Sequence, residues 1–335
     1  MGAVCKQMVR FCERGEWKMR QYQIADKPYR FVEIPLLKDN DRENPKWHDR
    51  YDKDTLSGIL QCEIKALTPI HVGSGLLELG NEKGVPLIKT HTKSNGKAII
   101  PGSSLKGCIR SIVEAITPSC VSITRAYNSQ LPSGTSACKK GDDLCIACRM
   151  FGAMGYLGNV RFSDAILKDG WNLTKASIPQ LYSTRDRQKT YLKGDGKVRG
   201  RKFYKHGTPA SGNVPIEVCP KDSFLDFSVS FDNLTESELG LLLIAMGHGE
   251  PKIFPKLGGA KPVCYGSIEV FVIESKSRII NNMENAYLQY ESAPISFDLT
   301  KYSEKGNDIL RKGKLEELVK ILSRDNIKEC PTGNY

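Results

Sequence analysis

Long hydrophobic runs are missing from this chain. No stretch of 18 or more consecutive apolar residues occurs, although 40% of the 335 residues are hydrophobic. A membrane-spanning helix needs about 20 such residues, so none is expected, and the apolar content suffices for a large core. The first residues, MGAVCKQMVRFCERGEW, lack the apolar stretch of a signal peptide. Met1-Gly2 would invite myristoylation with Ser or Thr at position 6, but Lys6 stands there. The expectation is a cytoplasmic protein with no membrane partner. Histidine is scarce: His48, His71, His91, His206 and His248 are all there is, and none falls in a nucleophile or metal motif. A Walker P-loop, a nucleophile elbow and an H-E-x-x-H pair are absent, which removes the NTPase, α/β-hydrolase and zincin classes. Neither an internal repeat nor a low-complexity tract is present.

Positive charge is in excess. The formal net charge is +11 and the sequence pI about 9.0, which favours anionic partners such as nucleic acid. Its distribution sharpens that reading. Segment 178–215 holds nine Lys or Arg, Arg185, Arg187, Arg199, Arg201 and Lys202 among them, against only Asp186 and Asp195. Tyr182, Tyr191, Phe203 and Tyr204 interleave with these charges. Aromatic faces stack on unpaired bases while cations hold the backbone, so single-stranded RNA fits this composition. A solvated basic loop is the plainer reading.

The length suggests two domains, or one with large insertions. Residues 1–56 read as a polar, basic extension. Segment 60–67 alternates Cys62, Ile64 and Ala66 with polar residues, as a half-buried strand does. The glycine loop VGSG (72–75) follows. The segment PGSSLKG (101–107) opens a helix, with Ser103 or Ser104 as cap. Leu105, Ile109, Ile112 and Ile116 line one face of it; Lys106 and Arg110 share another. Segments 159–166, 224–231 and 267–273 read as further strands. Thr235 to Glu238 forms a capping box ahead of an apolar helix over 239–246. A glycine-rich loop spans 255–262, and one short amphipathic helix is expected around 315–322. The order strand, helix, strands, helix, strand predicts an α+β fold. It is that of a ferredoxin-like (RRM-type) β-α-β-β-α-β unit, occupying 57–275, with a tail over 276–335.

Eleven cysteines are many. Cytosolic disulfides are rare, so a cluster points to metal. Cys145 and Cys148 form a C-x-x-C pair in the turn-rich segment 117–152, and Cys120 and Cys138 complete a candidate four-thiolate shell for structural zinc. Cys108 is the nearest substitute for Cys120. A redox pair would open a helix of a thioredoxin-like unit, which the pattern does not show.

Five motifs occur in an order that resembles the RAMP-superfamily backbone subunits of type III CRISPR effector complexes, most like type III-D members. They are ALTPIHVGSG (66–75), IPGSSLKG (100–107), CIACRMFG (145–152), RGRKFY (199–204) and LGGAKPVCYG (257–266). The resemblance covers roughly 57–275. It implies a palm that grips guide RNA, a zinc-bound insertion, and a basic thumb hairpin over 178–215 that interrupts the guide–target duplex. It further implies contacts to guide phosphates from Ser103, Ser104, Lys106 and Arg110. Gly258, Gly259 and Lys261 would lie against the guide backbone. The implied partners are guide RNA, target RNA and other subunits of the complex. Many such subunits cut target RNA with an aspartate in the loop after the first strand, which would bring Mg2+ with it. No aspartate stands between Leu79 and Ile88, and Glu82 is the nearest acid. The expectation is a subunit that binds RNA and cuts weakly or not at all. The alternatives are a target-cutting endoribonuclease using Glu82 and a zinc-stabilised RNA-binding protein outside CRISPR.

Overall fold

The computed structural model describes residues 6–13, 16–23, 27–80, 87–139, 141–182, 190–281, 286–287, 298–325 and 327–330. Thirteen strands and five helices matter for the site. In chain order they begin with β1 (Tyr29–Val32), β2 (Leu56–Ala66), β3 (Gly73–Leu79), β4 (Leu87–His91), β5 (Lys97–Ile100) and α1 (Gly102–Ile116). Next come α2 (Ile146–Phe151), β6 (Val160–Phe162), β7 (Ala165–Leu167), β8 (Thr174–Ile178), β9 (Arg201–Tyr204), β10 (Val214–Val218) and β11 (Phe224–Leu234). The last are α3 (Glu236–Leu243), β12 (Ile268–Val272), β13 (Arg278–Ile280), α4 (Leu299–Gly306) and α5 (Lys314–Leu322).

The central sheet runs β12-β2-β11-β7-β5, with β6 also on β11 and β13 on β2. All these pairings are antiparallel. Register follows the alternation of the sequence. Leu60, Cys62 and Ile64 on β2 face Val229, Phe227 and Leu225 on β11, and all six are buried. A slip of one residue would turn this set to solvent. On α1, Leu105, Ile109, Ile112, Val113 and Ile116 are buried in the same core cluster as these strands. Burying each is worth about 1.5–3 kcal/mol, which outweighs the modest helix propensity of three isoleucines and a valine. α3 starts as expected. Thr235 Oγ1 accepts the Glu238 N–H at 3.1 Å, and Glu238 Oε2 accepts the Thr235 N–H at 3.1 Å.

A second sheet, β8-β10-β4-β3, brackets the basic segment. Between β8 and β10 the chain leaves this sheet, and β9 pairs antiparallel with β1 of the N-terminal extension. Ahead of β9 the described residues 191–199 turn back on themselves, with Leu192 bridging Val198 antiparallel. The extension is less polar in place than in sequence: Val32, Ile34 and Leu37 are buried. At the other end, Cys264 and Cys330 are joined in a disulfide across 66 residues. Both lie outside the cluster of Cys120, Cys138, Cys145 and Cys148, and the fold brings them together from far apart in the chain. Among the described residues no helix is long and apolar enough to cross a membrane.

Candidate functional site

The four cysteines meet. Cys120, Cys138, Cys145 and Cys148 are buried, and their sulfurs all lie within 4.8 Å of one another; those of Cys120 and Cys148 are 3.4 Å apart. Four thiolates at the usual Zn–S distance stand about 3.8 Å apart in a tetrahedron, so this set can hold one metal ion such as zinc. Cys108 is excluded as the fourth ligand, because its Sγ points to Lys256 O at 3.3 Å. Donors surround the sulfurs. The Cys120 N–H reaches Cys145 Sγ at 3.4 Å, the Cys145 N–H reaches Cys138 Sγ at 3.5 Å, and Arg110 Nη2 reaches Cys148 Sγ at 3.3 Å. The thiols compete for protons. The hydrogen bond from Cys120, joined by those from Cys145 and Cys148, drives Cys138 far below the ordinary thiol range. Cys145 falls to about 7, again chiefly through Cys120. Hydrogen bonds from the neighbouring thiols push Cys120 and Cys148 up in turn, and a metal requires all four as thiolates. With all four positions filled by sulfur, a metal here has no open site for catalysis.

Beside this centre lies a carboxylate that the sequence does not advertise. Glu114 sits on α1 with its side chain 3% exposed. Its Oε1 accepts from Arg110 Nε at 2.8 Å and from Ser122 Oγ at 2.6 Å, and its Oε2 forms a close ion pair with Arg201. Arg201 also donates to Cys120 O at 3.2 Å. Arg110 donates further to Gly152 O at 2.7 Å. Glu114 thus joins the helix, the cysteine loop and β9. Its one signal in the sequence is the i,i+4 spacing from Arg110 on α1.

The start of α1 differs from expectation in two ways. Its N-cap is Pro101, and neither serine caps it. Asp164, from the turn between β6 and β7, accepts the Gly102 N–H at 2.8 Å. Gly102 itself is required by the protein's own backbone, since a Cβ there would stand 2.2 Å from Phe162 O. Ser103 is exposed, and Ser104 and Lys106 are half-buried. Burial and the charges of Arg110 and Arg161 lower the pKa of Lys106.

The two glycine loops converge near this helix. Gly259 N–H donates to His71 O at 2.7 Å, and a Cβ at Gly258, whose φ is +78°, would stand 2.4 Å from the same oxygen. Cys108 of α1 touches Lys256 of the loop that carries Lys261. Segments 71–75 and 255–266 therefore meet each other, and α1 meets the second of them through Cys108; Lys106 stands about 200° round the helix from Cys108, with Arg110 and Arg161 as its charged neighbours.

The basic segment is used in more than one way. Lys202 Nζ lies 4.0 Å from the ring centre of Tyr29, 4.8 Å from Tyr204 and 5.3 Å from Tyr191. Three aromatic faces around one ammonium stabilise it by cation–π attraction. Arg201 is committed to Glu114, and Phe203 belongs to the core. Arg199 and Tyr182 are exposed. Arg185, Arg187 and Glu82 lie outside the described residues.

Comparison with known proteins bears on this arrangement at one level. Residues 63–269 match the RAMP superfamily, more than half of the chain, and the chain belongs to that family. RAMP proteins are associated with CRISPR-related RNA-binding subunits. No curated protein matches the chain.

Proposed function

We propose that this chain binds the backbone of a guide RNA as a subunit of a type III CRISPR effector ribonucleoprotein. The observation that supports it best is that the glycine loops 71–75 and 255–266 meet each other and that the second, which carries Lys261, meets α1 through Cys108. Glycine backbone permits close approach of a phosphate chain, and Lys106 and Lys261 supply charge for it. The sheet order, with α1 and α3 in the sequence positions of a ferredoxin-like unit, is what an RRM-type palm needs. The cysteine centre is read as a structural zinc site that fixes 117–152 beside this palm. The type III-D likeness rests on the motif RGRKFY (199–204). On this reading the subunit presents guide RNA for pairing, and cutting of target RNA is not its principal work.

The test is equilibrium binding of labelled single-stranded RNA across a salt series. Lys106→Ala and Lys261→Ala should each weaken binding, and each should flatten the salt slope by about 0.7, the share of a single phosphate. Wild-type slopes retained in both variants would remove the palm face from the RNA path.

A further inference from the structure

A charged concavity lies away from the palm face. This groove of about 490 Å³ opens between segments 33–38, 193–198 and 311–314. Lys38, Lys193, Lys197, Arg311, Lys312 and Lys314 line it, against the single carboxylate of Glu33. Two of the three segments, 33–38 and 311–314, lie outside the span that matches the RAMP superfamily. The groove is therefore built largely by what lies outside the family domain, with 193–198 contributed from within it.

The six cations divide by their engagements. Lys197 Nζ donates to Ser129 O at 2.8 Å and Leu131 O at 3.2 Å, and Arg311 pairs with Asp41 at 3.0 Å. These two shape the walls. Lys193 at 2.6 Å and Lys314 at 3.9 Å share Glu33, and Lys314 also meets Glu317 at 2.8 Å. The hydrogen bond from Lys193 holds the Glu33 carboxyl below the usual carboxylate range, so Glu33 stays charged. Lys38 and Lys312 are exposed, and neither has an ion-pair partner among the described residues. Glu33 is 60% exposed. A pair that open is worth little and exchanges readily for another anion. Among the described residues no aromatic ring lines the groove, so it offers nothing for base stacking and much for phosphate oxygens. Its volume falls within the range of about 300–1,000 Å³ that small-molecule sites occupy.

We propose that this groove is a second phosphate-binding site, separate from the palm, for the backbone of a nucleic-acid strand or for a free nucleotide. Lys38 and Lys312 contact the phosphates directly. Glu33 is the internal anion that an incoming phosphate displaces from Lys193 and Lys314. The site does not depend on the palm contacts, and the two stand or fall apart.

The experiment uses the full chain and two probes: fluorescein-labelled oligouridine and a fluorescent ATP analogue, both read by anisotropy. The double variant Lys38→Glu/Lys312→Glu, at exposed positions that spare the core, should weaken binding of at least one probe by about tenfold or more. For RNA it should also lower the salt slope by about 1.4, two phosphates at about 0.7 each. Glu33→Gln should tighten the same probe several-fold by removing the competing charge. A response confined to oligouridine identifies a strand as the ligand; one confined to the ATP analogue identifies a free nucleotide. Wild-type affinity for both probes in the double variant, or weaker binding in Glu33→Gln, overturns the proposal. Lys106→Ala reports on the palm in the same assay. RNA binding weakened there, with both probes bound normally by the groove variants, keeps the palm reading and discards the groove; the opposite pattern does the reverse.

Discussion

Glu114 is the residue on which three parts of the molecule depend. It is nearly fully buried between Arg110 and Arg201, with Ser122 as a third donor. Removing one partner from a buried ion pair leaves uncompensated charge and costs about 3–5 kcal/mol. Glu114→Ala should therefore lower the melting temperature far more than Asp169→Ala, which breaks only the exposed pair of Asp169 with Lys97 at 3.4 Å, and unchanged melting would show that the arginines find other partners. Buried histidines set a second expectation. Burial pushes His206 down to about 3, and His91 and His248 down to about 4. For His91 the neutral form fits the hydrogen bonds, since its Nδ1 accepts the Val72 N–H at 3.2 Å while Nε2 donates to Ile99 O at 3.1 Å. Folded-state values below the ordinary histidine value mean that the unfolded chain binds more protons between them. Stability is then full above pH 6.5 and is lost as pH falls from there towards 4, by on the order of 2 kcal/mol per histidine at pH 5. Melting curves at pH 7.5 and pH 5 check this, and a higher melting point at pH 5 would contradict it. None of these groups is legible as such in the sequence, because a glutamate at helical spacing and a lone histidine look the same buried or exposed.

At the scale of elements, regular periodicity is legible in the sequence and local termini are not. The period-two segments 60–67 and 224–231 fall in β2 and β11, and the capping box of Thr235 and Glu238 opens α3. The segment expected as one strand over 159–166 is two, β6 and β7. The Gly102 N–H at the start of α1 is met by Asp164, more than fifty residues away, and so distant a partner leaves no trace in the local sequence. The partner of β9 is hidden for the same reason, since β1 lies far upstream. The cysteine cluster is legible through the C-x-x-C spacing, while the choice of Cys120 over Cys108 needs the fold. On the zinc reading, metal analysis of the purified protein should find one zinc per chain. Cys145→Ser should abolish that zinc and expose 117–152 to proteolysis, because metal binding free energy there is folding free energy. Purified protein that lacks metal and resists protease equally in both forms would exclude a zinc centre.

For the whole molecule, charge and topology point the same way. A chain of net charge +11 carries a RAMP-superfamily domain over 63–269 and engages several of its cations internally. The bulk excess therefore overstates what any one segment presents: Arg201 neutralises Glu114 and Lys202 sits among tyrosines. The glycine loops at 71–75 and 255–266 and the groove at 33–38, 193–198 and 311–314 are the two surfaces proposed to dock anions. Guide binding itself is tested by purifying the tagged protein from its native cells and sequencing the RNA that accompanies it. Short RNAs sharing one repeat-derived tag with varied spacers are expected, together with other CRISPR-associated subunits. Unrelated cellular RNAs, or no RNA at all, would contradict guide binding.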